Sequence, residues 1–188
     1  MEEVRKLLMS LSQIPEVEWE KLRPHLFYRE YKKGEHFARS GDLNPYVGLV
    51  RKGIFRKYYV NDSGAEFIKD FVKEGELFGN YSSLIQKIPT QMNIEALEDS
   101  EVLQLNYNIL EGLYSSHACW EKLGRRLAEI HYIKRENREM QFLLMPAKER
   151  YQQFLQEYNG LENRISQYHV ASYLGVTAVT LSRIRHDC

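Results

Sequence analysis

Apolar positions follow three different rhythms along the chain. The segment "SQIPEVEWEKLRPHL", Ser12 to Leu26, has helical spacing. Pro15 stands where a first turn tolerates it, acidic residues follow, and Val17, Trp19 and Leu22 are candidates for burial, with Pro24 ending the run. From Leu26 to Leu105 short β-branched and aromatic runs are cut by "KKGE", "SGD", "RKG", "NDSG", "KEGE" and "EDS". Gly41, Gly53, Gly64 and Gly75 recur about every eleven residues, the rhythm of an all-β sandwich or barrel with tight turns. Met92, Ile94 and Ala96 alternate inward while Asn93 and Glu95 alternate outward. The block predicts a compact β-roll of roughly eight strands.

After Asn106 the rhythm turns helical again. A short helix over "YNILEGLYSS" precedes a long charged helix from His117 to about Leu144. On it Trp120, Leu123, Leu127, Ile130, Lys134, Asn137, Gln141 and Leu144 fall three or four apart, a stripe suited to pairing with a second chain. Met145-Pro146 ends that helix, because proline removes a donor and pushes its predecessor out of the α region. "PAKERYQQFLQEYN" starts a new helix closed by Asn159-Gly160. The predicted units are 1–144 (roll, flanking helices and long helix) and 145–188.

The most specific local pattern is "ISQYHVASYLGVTAVTLSRIR", Ile165 to Arg185. Ser166 caps a helix with Val170, Ala171 and Leu174 on its inner face. Gly175 takes the turn, Val176 plugs the gap, and Thr177 caps a second helix with Leu181 and Ile184 inward. This is the spacing of a DNA-binding helix-turn-helix, whose second helix enters the major groove. Ala178, Val179, Ser182, Arg183 and Arg185 then point outward. Arg183 is the candidate for reading a guanine edge, and Ala178 and Val179 can touch a thymine methyl. Ser166, Thr177, Thr180, Ser182 and Arg185 complete the candidate DNA-binding set, mostly as phosphate contacts that fix register.

Composition narrows the partners. The 188 residues are 43% hydrophobic and 28% charged, with zero formal net charge. No bulk attraction to nucleic acid or an anionic membrane exists, so any nucleic-acid contact needs a local patch. Two cysteines, Cys119 and Cys188, suit a reducing cytoplasm and exclude a cysteine-ligated iron–sulfur cluster. No apolar run reaches membrane-spanning length, and "MEEVRKLLMS" is too charged for a secretory signal, so a cytoplasmic protein is expected. Asp62-Ser63 and Glu98-Asp99-Ser100 sit at turns for backbone reasons. With no paired carboxylates, nucleophile elbow or P-loop, the chain does not read as an enzyme. His25, His36, His117, His131, His169 and His186 have no ligand spacing for zinc or haem, and no metal or cofactor is expected.

The stretch "FGNYSSLIQKIPTQMNIEAL", Phe78 to Leu97, has the glycine, small hydroxyls and short helix of a phosphate cradle, yet its only cation is Lys87, which a loop would leave solvated. Together with the roll, long helix and helix-turn-helix, "KEGELFGNYSSL" and "PTQMNIEALEDSEVLQL" resemble the phosphate-binding cassette of the catabolite activator (Crp/Fnr) family of bacterial transcription regulators. The resemblance spans nearly the whole chain. It implies an α+β fold: a cyclic-nucleotide-binding-like β-roll (a double-stranded β-helix, jelly-roll-like) as sensor, a long dimerisation helix and a C-terminal helix-turn-helix of winged-helix type. It also implies a homodimer whose recognition helices meet successive major grooves of double-stranded DNA, and contact with RNA polymerase.

The departures from the family are specific. Cyclic-AMP-responsive members carry Phe-Gly-Glu in the cassette and an arginine followed by Ser or Thr after its proline. Here Asn80, Thr90 and Gln91 stand at those places, and a buried phosphate without a charged partner is penalised by several kcal/mol. The candidate pocket is Phe78, Gly79, Asn80, Tyr81, Ser82, Thr90 and Gln91, with Ile130 and His131 of the long helix where responsive members place hydroxyls against the adenine. The N-terminus lacks the cysteine cluster of the oxygen-sensing branch. The sequence stops at Cys188, which leaves no residues for a β-hairpin wing, so a wingless member or a shortened chain is expected. The expectation is a sequence-specific DNA-binding regulator whose pocket takes a neutral or differently charged effector, or none. The alternative is a ligand-sensing or protein-interaction module that does not bind DNA.

Overall fold

Two four-stranded antiparallel sheets form the centre of the computed structural model, which describes residues 2–186. β1 (Phe27–Tyr31) starts the first sheet and β2 (His36–Ala38) the second. β3 (Tyr46–Lys52) and β6 (Leu77–Phe78) join the first, β4 (Phe55–Val60) and β5 (Glu66–Val72) the second. With β7 (Asn93–Ala96) and β8 (Ser100–Asn106) the spatial orders are β1-β8-β3-β6 and β2-β7-β4-β5. The predicted roll is therefore present with eight strands. Gly41, Gly53, Gly64 and Gly75 all take φ between 81° and 100°. At Gly53 a Cβ would also run into Ser100, so this turn needs glycine twice over.

Period-two alternation divides each strand between cores. On β3, Val50 points into the roll with Phe37, Phe55, Phe78 and Val102, while its neighbour Leu49 points outward. That outer face is covered by α1 (Glu2–Leu11), α2 (Glu16–Leu22), α4 (Tyr107–Leu113) and the start of α5 (Ala118–Leu144). α3 (Tyr81–Gln86) bridges β6 and β7. α1 was not expected from the sequence, and Val4 and Leu8, one turn apart, fasten it. Val17 departs from the expectation: it is 70% exposed, because Trp19 and Leu22 take the buried face of this two-turn helix. Asn93 and Glu95 depart too. Asn93 is buried and accepts from Ser40 N, and Glu95 is covered while binding Arg56.

α5 ends at Leu144, and α6 (Ala147–Glu157) begins after Pro146. α7 (Gln167–Leu174) and α8 (Ala178–His186) follow. These three helices share a core with the outer face of the second sheet, where Ile54, Tyr58, Ile68 and Phe71 meet Phe154, Tyr158, Val170 and Leu174. Phe71, Phe154, Tyr158 and Tyr173 form an aromatic cluster with centroids 5.4 to 6.3 Å apart. Each such ring buried adds about 1.5–3 kcal/mol over leaving it in water. Ser172 Oγ accepts from Ile68 N and donates to Glu66 O, both at 3.1 Å, so α7 is also tied to the edge strand by the backbone. Among the described residues no helix is long and apolar enough to cross a membrane.

Candidate DNA-reading helix and roll cavity

Local chemistry builds the C-terminal helix pair as the sequence predicts. Ser166 caps α7 by accepting from His169 N, Gly175 takes φ 70° after α7, and Thr177 Oγ1 accepts from Thr180 N at 3.1 Å. Val170, Ala171, Leu174, Leu181 and Ile184 are buried between the helices, with Val176 packed against them. Val179 is 63% exposed, and Ala178, Ser182, Arg183 and Arg185 are exposed with it. The hydroxyls of Ser166, Thr177 and Thr180 make local bonds, the latter two to each other at 2.9 Å. Arg183 and Arg185 are both exposed, and Arg185 lies close enough to the Tyr151 hydroxyl on α6 to oppose the rise of its pKa. α8 has no acidic residue, and its last turn holds Arg183, Arg185 and His186.

α5 holds this pair in place. Arg138 donates to Tyr173 O at 2.5 Å and lies 4.7 Å from the Phe142 ring, with Arg150 at 4.9 Å from the same ring. Phe142 in turn presses on Gly175, where a Cβ would be 2.8 Å from its ring. The long helix also shifts the stripe read from sequence. Trp120 and Leu123 are buried by their own chain, but Lys134 and Gln141 turn toward the protein, and Ile133 and Met140 take their places outside. The outward row is Ile130, Ile133, Asn137, Met140 and Leu144, with Ile133 57% and Leu144 76% exposed. This is an a/d spacing with one polar position.

A cavity of about 900 Å³ opens between the cassette and α5. Gly79, Asn80, Tyr81, Ser82, Thr90, Gln91 and His131 line it, as the candidate set requires. Two members of that set do not. Phe78 is in the roll core, stacked on Phe55 at 5.1 Å, and Ile130 belongs to the outward row of α5. The cassette residues that replace the family's charged pair bind each other. The Asn80 amide donates to Thr90 Oγ1, which also accepts from Met92 N at 2.9 Å, while Asn80 Oδ1 caps α3. Lys87, in the left-handed region at φ 55° after α3, points away and pairs with Glu111 at 3.3 Å.

The charge lies on the opposite wall, and sequence reasoning missed it. Lys57 is only 6% exposed, on the same inner side of β4 as Phe55 two residues earlier, and it lines the cavity. Its register partner on β5 is Asp70, at 3.9 Å. Asp70 also binds Lys134 at 2.9 Å and accepts from the Tyr158 hydroxyl at 2.7 Å, so this one carboxylate joins roll, long helix and α6. Burial works against the Asp70 charge, but Lys134 and Lys57 beside it and the Tyr158 hydroxyl hold the carboxyl below its ordinary range. Burial pushes the Lys57 ammonium down, Asp70 only partly offsets this, and Lys134 and Lys69 add to it. The one sequence signal was a lysine in phase with Phe55 on a strand of period two.

A cyclic nucleotide-binding domain family matches residues 28–117, the roll and the start of the helices. Among curated proteins the chain is 29% identical over 170 residues to the transcriptional activator protein FnrA of Stutzerimonas stutzeri, covering 83% of this chain and 68% of that protein. It is 28% identical to the transcriptional activator protein anr of Pseudomonas aeruginosa, with the same coverage. The chain thus spans about two thirds of the length of these relatives. Among solved structures, FixK2 from Bradyrhizobium japonicum superposes with a TM-score of 0.76 at 24% identity, over 86% of this chain and 83% of that one. The catabolite activator protein of Thermus thermophilus gives 0.59 at 22% identity, over 96% and 85%.

Proposed function

We propose that the chain is a Crp/Fnr-type regulator, a homodimeric, sequence-specific DNA-binding transcription regulator whose roll cavity receives an effector. The observation that carries this reading is the α7–α8 pair. Its inner face is fully packed and capped, while α8 presents Ala178, Val179, Ser182 and Arg183 to solvent on a helix without acidic residues. An exposed helix of that composition beside a buried partner helix is built to lie in a major groove. The outward row of α5 supplies the two-fold partner, since an isologous pairing of that row buries Ile130, Ile133, Met140 and Leu144 and sets Asn137 against its copy. Contact with RNA polymerase belongs to the same proposal.

Arg183 reads a base in this account, Ser182 and the helix N-terminus at Thr177 meet phosphates, and Arg185 contributes once it leaves Tyr151. Cyclic AMP is not the expected effector, because Asn80 and Thr90 bind each other where a phosphate would need a cation. Selection from random DNA tests the whole reading. It should enrich a two-fold-related site, and failure to enrich one removes the proposal. On that site Arg183→Ala should weaken binding by about 1–3 kcal/mol and relax preference at one base position. Equal weakening on every sequence would assign Arg183 to the backbone.

A further inference from the structure

We infer that the roll cavity is a site for a small organic anion whose phosphate or carboxylate group is held by Lys57 on the strand wall and not by the cassette. The inference rests on the reading of the roll as an effector domain and names the ligand's chemistry.

Positive charge is in excess along the cavity wall. Lys57 and Lys134 share the single carboxylate of Asp70, and the Asp70 oxygen nearest Lys134 also receives the Tyr158 hydroxyl. Lys134 has a second acceptor in Glu157 at 3.6 Å, whereas among the described residues Lys57 pairs within 4 Å with the far oxygen of Asp70 alone, Glu76 adding a weaker, more distant attraction. A nearly buried ammonium whose one ion pair is long and shared is destabilising unless another anion reaches it. Lys57 reaches the open cavity, so that anion has a route. Lys69 and Arg135 add positive charge to the lining, against Glu139 as the only carboxylate besides Asp70. The opposite wall is neutral. There Asn80 and Thr90 are closed on each other, and Ser82 and Gln91 are suited to uncharged groups. A ligand that fits both walls carries its charge at the Lys57 end and a polar, uncharged body toward the cassette.

The position of Asp70 makes such binding consequential. An anion on Lys57 and Lys134 competes with Asp70 for both ammonium groups, and Asp70 is the acceptor for Tyr158 of the DNA-binding unit. The ligand therefore acts on the bond that joins the roll to α6, without touching α8.

The test is calorimetry on the full chain at constant ionic strength, with pyrophosphate and citrate as probes of the two charged-group chemistries and adenosine as the uncharged control. At least one anion should bind with one site per chain while adenosine gives no heat, and the tighter anion names the charged group. Lys57→Met should weaken that binding by about thirtyfold or more, as loss of a buried charge partner does. Arg135→Gln, an exposed change that leaves the fold alone, should weaken it by about threefold, the scale of a surface ion pair. Absence of anion binding overturns the inference. So does binding that Lys57→Met leaves unchanged or, if that variant does not fold, binding that Arg135→Gln leaves unchanged. Operator binding is measured separately on the unliganded chain. Its loss with anion binding intact sinks the DNA-reading proposal alone, and the converse sinks the anion site alone.

Discussion

The two halves of α5 present apolar side chains in similar spacing to opposite ends. In the first half Trp120 and Leu123 are 0% and 1% exposed, locked beneath α1, α2 and the first sheet. Further along, Ile130, Ile133, Met140 and Leu144 remain outside, between 38% and 76% exposed. The crossover is Lys134, which turns inward to Asp70 where the stripe would otherwise continue. One helix therefore serves two cores. The first is completed by folding and, in the proposed dimer, the second by association, so stability and assembly should respond to different substitutions.

Trp120→Ala is the largest test of that separation. It removes the largest fully buried side chain and the indole N–H that donates to Glu18 at 2.7 Å. The expected loss is about 3–5 kcal/mol of folding stability, read as a marked fall in thermal midpoint. Sedimentation at a temperature where the variant is folded should still find a dimer. Loss of both properties together would show that the two cores are one cooperative unit. The smaller test is Ile133→Glu combined with Met140→Glu. Like charges facing across the seam should weaken association by about a hundredfold or more, whereas the separate chain should keep its stability within about 0.5 kcal/mol for such exposed sites. A dimer that survives this pair of changes would place the interface elsewhere.

Much of this architecture was legible because it is local. Turn glycines, Pro146 and the caps Ser166 and Thr177 each act within a few residues, and each sits where the sequence places it. The α5 stripe was legible in length but displaced by one residue at two points. Lys134 and Gln141 fit the spacing as well as Ile133 and Met140 do, and only the long-range pull of Asp70 decides the face. Lys57 was hidden for a similar reason. A lysine between Arg56 and Tyr58 reads as strand surface, but the unbroken register from Phe55 opposite Val72 sets it opposite Asp70 on the inner side. The docking of α7 on β5 through Ser172 has no sequence signature, since a mid-helix serine gives no hint of the strand it meets. Phe78 was assigned to the pocket by motif position, although its ring belongs to the roll core.

The smallest predicted effect isolates the first half of α5 by pH. Glu18 on α2 receives Lys21 at 2.5 Å, the Trp120 indole at 2.7 Å and the Ser116 hydroxyl at 3.1 Å. These bonds, Lys21 first, lower its pKa from 4.5 to about 2. A carboxyl held lower in the folded than in the unfolded chain adds stability that is complete above the unfolded value and fades as pH falls through the folded one. Glu18→Gln keeps a carbonyl oxygen for the indole and removes the charge. The native chain should therefore melt above the variant at pH 7, and the gap should narrow between pH 4.5 and 2. Asp70 titrates in both chains, so its contribution cancels in the difference. The outward row of α5, the proposed seam, contains no titrating side chain, and the gap should be the same at protein concentrations above and below the dimer midpoint. A gap that is constant with pH would mean that Trp120 is held by packing alone, and one that depends on concentration would tie Glu18 to the seam.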